Sequence, residues 1–83
     1  MDERIAQAVA GDRDALGDLL FEHHDRLLKF LRTQISDDLR PAVDADDILQ
    51  ETFAAAYQEI ARFTPKTDHS FFNWLKKIAS NRL

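Results

Sequence analysis

Cysteine is absent from the 83 residues, and glycine and proline occur only twice each. Without cysteine, a disulfide framework and a thiolate metal site are both excluded. The scarcity of glycine and proline argues against a sandwich or barrel of short strands, because such folds need many turns. The sequence therefore favours long, uninterrupted segments, and we expect these to be helices.

Long hydrophobic runs are also missing. No apolar stretch approaches the roughly 20 residues that span a bilayer, and the acidic start Met1–Arg4 does not lead into an apolar signal-peptide stretch. The composition, 45% hydrophobic and 31% charged, is ordinary for a globular protein. We therefore expect a cytoplasmic protein of the all-α class, with residues 1–83 forming one compact bundle of about four helices.

The first half of the chain predicts two helices. A short helix spans Asp2 to Ala10 and ends at Gly11, because glycine commonly follows a helix C-terminus. Asp12 can cap a long second helix, from about Arg13 to about Ile35, by accepting from free backbone N–H groups. Its apolar positions recur at spacings of three and four and predict one buried stripe: Leu16, Leu19, Leu20, His23, Leu27, Phe30 and Leu31.

The second half predicts two further helices, after a polar linker at 36–43. The third runs from about Ala45 to about Arg62, with a core stripe at Leu49, Phe53, Ala56 and Ile60. A loop at 63–69 precedes the fourth, which Ser70 or Asp68 can cap and which runs to the chain end. Its buried stripe is Phe71, Trp74, Leu75 and Ile78, and the residues predicted mostly off that stripe are Phe72, Lys76, Lys77, Asn81 and Arg82.

The charges are divided between the last two helices. Residues 44–63 carry five acids and one base, whereas residues 64–83 carry four bases and one acid. Such asymmetry suggests two partners of opposite sign, although charge blocks are often only solvated faces. A different face of the third helix is polar overall and carries no basic residue; it comprises Asp47, Gln50, Glu51, Ala54 and Gln58. This face is either a solvated surface or a docking site for a basic partner helix.

The basic C-terminal segment combines cations with aromatic rings. Cations neutralise phosphates, and aromatic faces stack on unpaired bases, so the segment is a candidate nucleic-acid surface. Phe71 and Trp74 have the i, i+3 spacing of ordinary core residues. Phe72 is therefore the better aromatic candidate for a nucleic-acid contact.

Signatures of enzymes and metal sites are absent. The sequence has no Gly-rich phosphate loop, no Gly-x-Ser-x-Gly and no His-Glu-x-x-His. His23 and His24 are adjacent on a helix, point about 100° apart and do not share a metal simply. We expect no enzyme activity, no metal site and no cofactor.

Three segments resemble a known family, the bacterial sigma factors of RNA polymerase. The stretch 44–53, Asp-Ala-Asp-Asp-Ile-Leu-Gln-Glu-Thr-Phe, resembles the acidic signature of sigma region two, and 70–81 resembles the segment that follows it. The stretch Gly11–Ala15 is similar to the start of the second helix in the extracytoplasmic-function group. The resemblance implies an all-helical module for transcription initiation.

The resemblance also implies partners and site residues. In the family, the acidic helix binds the coiled coil of the largest core RNA polymerase subunit, and the matching positions here are Asp47, Gln50 and Glu51. The next loop and helix recognise the minus-ten promoter element on the non-template strand and hold it open. Positions matching the loop that holds a flipped base are Lys66, Thr67, Asp68, His69 and Ser70; those matching the helix face near DNA are Phe72, Asn73, Lys76, Lys77 and Asn81. An anti-sigma factor is a further expected partner.

The sequence departs from the family in several places. The linker is longer than usual and carries Pro41, the 64–69 loop lacks the group's Gly-containing acidic turn, and Ser80 stands where a basic residue is common. Nothing corresponds to region four, the helix-turn-helix domain, so we expect a fragment of a longer protein. Two alternatives stay open: a duplex-DNA-binding helical domain and a protein-interaction adaptor bundle. Against the first, the gap between the last two helices is about seven residues, whereas a helix-turn-helix uses about 3–4.

Overall fold

The computed structural model describes residues 2–35, 43–67 and 69–83, and these form helices and connecting segments without any strand. The elements are α1 (Glu3–Val9), α2 (Arg13–Gln34), α3 (Ala45–Glu59), a 3₁₀ turn (Ile60–Arg62) and α4 (Ser70–Ser80). The predicted all-α class is confirmed, and the predicted helices match within a few residues. The predicted linker at 36–43 and Asp68 lie outside the described residues, apart from position 43.

The turn between α1 and α2 follows from two residues. Gly11 adopts φ 112°, a region that residues with a Cβ rarely enter. Its N–H donates to the Ala8 carbonyl (3.0 Å), and the Asp12 N–H donates to the Gln7 carbonyl (2.9 Å), which is the paired arrangement of a Schellman motif. Asp12 then caps α2 by accepting from the Ala15 N–H at 3.0 Å. Both roles predicted for this dipeptide are confirmed.

An ion-pair network holds α1 against α2 at the surface. The Arg4 guanidinium lies 2.6 Å from an Asp2 carboxylate oxygen and 2.7 Å from one of Glu22. Its side-chain hydrogen bonds lower the pKa of Asp2 to about 2 and also lower the pKa of Glu22. Because these groups are exposed, the network fixes geometry more than it adds stability.

The core is built around α2, which contacts each of the other three helices. Leu16, Leu19, Leu27 and Leu31 of α2 are almost fully buried, as are Leu49 and Ala56 of α3 and Phe71, Leu75 and Ala79 of α4. Burying such side chains is the dominant favourable contribution to folding. The predicted stripes are confirmed for these leucines, Phe71 and Ala56, and also for Leu20, Ile60 and Ile78, which are buried as well.

Other stripe positions are only partly covered. Phe30, Phe53 and Trp74 are half-buried against the core. His23 is half-buried as well, and its Nδ1 lies 2.7 Å from the Leu19 carbonyl, which can only accept, so Nδ1 is the donor. Thr52, which the stripe omits, is 0% exposed; its hydroxyl donates to the Ile48 carbonyl at 2.7 Å, which removes the cost of burying it.

Candidate protein-binding and nucleic-acid-binding surfaces

The polar face predicted on α3 is at the surface. All five of its residues are exposed: Asp47, Gln50, Glu51, Ala54 and Gln58. The helix starts at Asp44, whose carboxylate accepts from the Asp46 N–H at 2.9 Å, and acids in this first turn are favoured by the helix dipole. Within the described parts of the chain, Asp47, Gln50 and Glu51 make no side-chain hydrogen bond or ion pair, so their polar atoms can meet a partner.

The loop before α4 is closed by one hydroxyl group. Ser70 Oγ accepts from the backbone N–H of Thr67 at 2.8 Å and of Lys66 at 3.2 Å. The Thr67 hydroxyl lies 3.2 Å from the same Oγ and accepts from the His69 N–H at 3.3 Å. The prediction that Ser70 caps α4 is wrong: Ser70 is the first helical residue, and its hydroxyl organises the preceding loop instead.

Replacing Ser70 with alanine is expected to loosen this loop while α4 stays folded. The two N–H groups of Lys66 and Thr67 lose a common acceptor, which costs about 1 kcal/mol, so their amide hydrogens should exchange with solvent several times faster. Hydrogen exchange measured by NMR tests this. Ser80→Ala is the matched control, since Ser80 is exposed near the other end of α4; equal acceleration in both variants would contradict the assigned role.

The two flanks of α4 differ in their neighbours. On one flank, Trp74, Lys77 and Asn81 share a shallow groove of about 220 Å³ with Glu59 and Arg62 at the end of α3. Trp74 also packs on Phe63, with ring centroids 4.9 Å apart. Arg62 and Glu59 were not predicted as site residues, because their proximity to α4 depends on how α3 packs against α4, which no sequence pattern indicates.

On the other flank, Phe72 lies against α2. The prediction that it lies off the buried stripe is wrong: its ring is 9% exposed and stacks on His23, with centroids 5.8 Å apart. The physical reason is that α2 covers this flank of α4, where Arg26 also lies over the ring at 4.0 Å. Burial leaves little of the Phe72 ring to stack on a base. Phe72 would therefore contribute to nucleic-acid binding by positioning the cations beside it.

The other predicted DNA-site residues within the described ranges are polar or basic and at least partly exposed. Lys66, Thr67, His69, Asn73, Lys77 and Asn81 are exposed, and Ser70 and Lys76 are half-buried. All of them lie on α4 or on the loop that enters it, whereas the acidic residues belong to α3. The fold thus presents an acidic helix face and a basic helix surface on two neighbouring helices.

A metal site and a membrane-spanning helix are both absent from the described residues. No group of three or more histidine, cysteine or acidic side chains is placed to hold a metal ion there. No helix in the same ranges combines the length and hydropathy needed to cross a membrane.

Comparisons with known proteins find similarity to sigma factors. Residues 19–83 match the family model of sigma-70 region 2. The chain is 35% identical over 78 residues to RNA polymerase sigma factor CnrH of Cupriavidus metallidurans, an alignment that covers 94% of this chain and 38% of that protein. It is 32% identical over 79 residues to ECF RNA polymerase sigma factor SigW of Bacillus subtilis, with 95% and 39% covered. The chain thus spans about two fifths of the length of these relatives. No solved structure gives a significant match.

Proposed function

This chain belongs to the sigma-70 region 2 family, and from that premise we propose that it is the module of a sigma factor that binds core RNA polymerase and opens the minus-ten promoter element. The acidic face of α3, with Asp47, Gln50 and Glu51, docks on the coiled coil of the largest polymerase subunit. The basic loop and α4 hold the non-template strand. Such a module acts in the cytoplasm as a binding subunit and has no catalytic residue of its own.

One observation carries this proposal: the side chains of Asp47, Gln50 and Glu51 on α3 have no partner within the described chain, although the neighbouring α4 carries Lys76 and Lys77. Exposed charges that stay unpaired are available to a partner, and complementary charge speeds and orients association. Glu51 and Asp47 are suited to a basic helix, whereas Gln50 can donate and accept at once. The α3 face therefore supplies orientation and specificity rather than a large apolar contact.

The α4 surface is suited to parted DNA rather than to a rigid duplex. Its loop from Lys66 to Ser70 is compact and polar, and its exposed cations can neutralise phosphates. Extracting a base from the stack costs a few kcal/mol. The few contacts of a small exposed surface do not easily offset that free energy. We therefore expect the chain alone to bind DNA weakly, and the polymerase to provide the rest of the binding energy.

The direct test is retention of core RNA polymerase by the wild-type chain and by a Gln50→Ala, Glu51→Arg double variant. The variant places a cation opposite a basic coiled coil, and such a like-charge juxtaposition costs several kcal/mol. We expect retention to fall at least tenfold.

A matched control is Glu3→Arg with Gln7→Ala on α1, which changes the same residue types and the same charge at exposed positions. It should retain polymerase as the wild type does, and thermal melting of each variant confirms that it is folded. Equal retention by both double variants would refute the docking face.

Two further parts of the proposal concern the full-length protein. Since the chain spans about two fifths of its relatives, we expect a helix-turn-helix region four elsewhere in the same protein. An anti-sigma factor is expected to bind this module and compete with polymerase. A candidate anti-sigma protein would be placed on the same face if it competes with core polymerase for the wild-type chain and itself binds the Gln50→Ala, Glu51→Arg variant more weakly.

A further inference from the structure

Two cations from different helices converge on one aromatic ring. The Arg26 guanidinium of α2 lies 4.0 Å from the Phe72 ring centroid, and the Lys76 ammonium of α4 lies 5.1 Å from it. We infer that Arg26 and Lys76 together form a phosphate-binding site for single-stranded nucleic acid, which extends the DNA surface from α4 onto α2. This inference rests on the proposed function and adds a residue, Arg26, that neither the sequence motifs nor the family match assigns.

The ring holds the cations in place. Phe72 is buried and backed by His23, whose ring stacks on it with an interplanar angle of 24°, so it is fixed on the side facing the core. Lys76 is also positioned by Phe30 of α2, 5.6 Å from its ammonium. Cation–π attraction keeps both charged groups near these rings, and Arg26 remains exposed to solvent.

No acid of the described chain neutralises the pair. Glu22, one turn before Arg26, is engaged by Arg4 at 2.7 Å, and Asp25 is fully exposed and lies beside His24 at 3.0 Å. Within the described residues, neither Arg26 nor Lys76 has a carboxylate in ion-pair distance. The site therefore keeps its positive charge, in contrast to the paired Arg4.

The geometry favours a bridging anion. Because both groups lie over the same ring, the two cations are at most about 9 Å apart, a distance comparable with the Debye length of about 8 Å at physiological salt. Like charges at that separation repel, and a phosphate between them would relieve the repulsion while it accepts hydrogen bonds from both. An arginine is suited to this role because its planar fork can bind two phosphate oxygens.

The position favours nucleic acid over an acidic protein segment. Lys76 is itself one of the residues proposed to lie near DNA, and it shares the Phe72 ring with Arg26, so a strand that contacts Lys76 lies close to Arg26. The acidic α3 face, where the protein partner is proposed to dock, contributes nothing to this cluster.

The test measures binding of a fluorescein-labelled 12-nucleotide oligothymidylate to the chain by anisotropy, as a function of salt. Arg26→Gln should weaken binding about threefold at low salt and lower the slope of log K against log salt by about 0.7, the effect of one lost phosphate contact on a single strand. Arg26→Lys should keep the slope, because it keeps the charge. Arg13→Gln is the matched control: Arg13 also lies over a ring, that of Tyr57 at 4.7 Å, about 20 Å away along α2, and should change nothing.

The outcomes separate this inference from the proposed function. If Lys77→Gln weakens binding and Arg26→Gln does not, α4 still binds DNA and the Arg26 site is refuted. If Arg26→Lys lowers the salt slope as much as Arg26→Gln does, the charge at this position does not neutralise a phosphate and the site is refuted. Unchanged oligonucleotide binding with reduced polymerase retention would assign the cluster to a protein partner and also overturn the inference. If the wild type binds no oligonucleotide even in complex with core polymerase, the inference and the DNA half of the proposed function both fail.

Discussion

Replacing Phe71 with alanine is expected to lower the free energy of unfolding by about 3–5 kcal/mol. The side chain is 1% exposed and sits among His23, Phe63 and Trp74, with centroids 5.3, 6.0 and 5.8 Å away. Truncation removes the buried ring and leaves a cavity that three other rings cannot fill. Because small domains are stabilised by only about 5–15 kcal/mol, urea denaturation should show a midpoint far below that of the wild type.

Phe21→Ala provides the comparison for that result. Phe21 is 83% exposed on α2, so the same substitution removes a ring that buries almost nothing, and we expect a change within about 0.5 kcal/mol. If both variants unfolded at the same urea concentration, Phe71 would not be the centre of the α4 packing. The Phe71 variant should also lose polymerase and DNA binding in proportion to the unfolded fraction, whereas the Phe21 variant stays folded.

The points at which several helices begin and end could be predicted from the sequence, because single residues at those points determine them. Asp12 and Asp44 cap helices through their own carboxylates, and Gly11 ends one through its own φ. The polar face of α3 was equally predictable, since a helix of fixed period places Asp47, Gln50 and Glu51 on the side away from its apolar stripe. For these residues no knowledge of the other helices was needed.

The flanks of α4 could not be predicted in the same way. Helical spacing gives the centre of the buried stripe but not its width, which depends on where the neighbouring helices cross. Here α2 covers Phe72, and Trp74 on the opposite flank remains half-buried. The Arg26 cluster has the same origin, because 46 positions of sequence separate Arg26 from Phe72, and only tertiary packing brings the guanidinium over that ring.

The role of Ser70 illustrates a different limit. A serine before an apolar run predicts an N-cap, but the same hydroxyl can accept from preceding backbone N–H groups. In this fold it accepts from Lys66 and Thr67. Sequence spacing does not decide between these two hydrogen-bonding arrangements, since in both of them the serine hydroxyl accepts from backbone N–H groups near the start of a helix.

The two glycines of the chain are expected to respond in opposite directions to alanine. At Gly11 a Cβ would meet nothing within 4 Å, but φ is 112°, so Gly11→Ala should lower the free energy of unfolding by about 1–3 kcal/mol through backbone strain alone. Gly17 lies inside α2 with helical geometry, where alanine is intrinsically better by about 0.5–1 kcal/mol. Its added Cβ would lie 3.1 Å from the Tyr57 hydroxyl, the end of a side chain that can move.

Urea denaturation of Gly11→Ala and Gly17→Ala therefore measures how far the stability of the α1–α2 turn depends on a glycine at position 11. We expect the first midpoint to fall and the second to stay or rise. Since the hydrogen bonds from Gly11 and Asp12 tie the end of α1 to the start of α2, the loss at Gly11 should be accompanied by faster amide exchange in α1 while the α3 face stays protected. An unchanged midpoint for Gly11→Ala would mean that the turn tolerates a Cβ and would refute the strain, whereas a fall for Gly17→Ala would mean that the Tyr57 hydroxyl does not move away from the added Cβ.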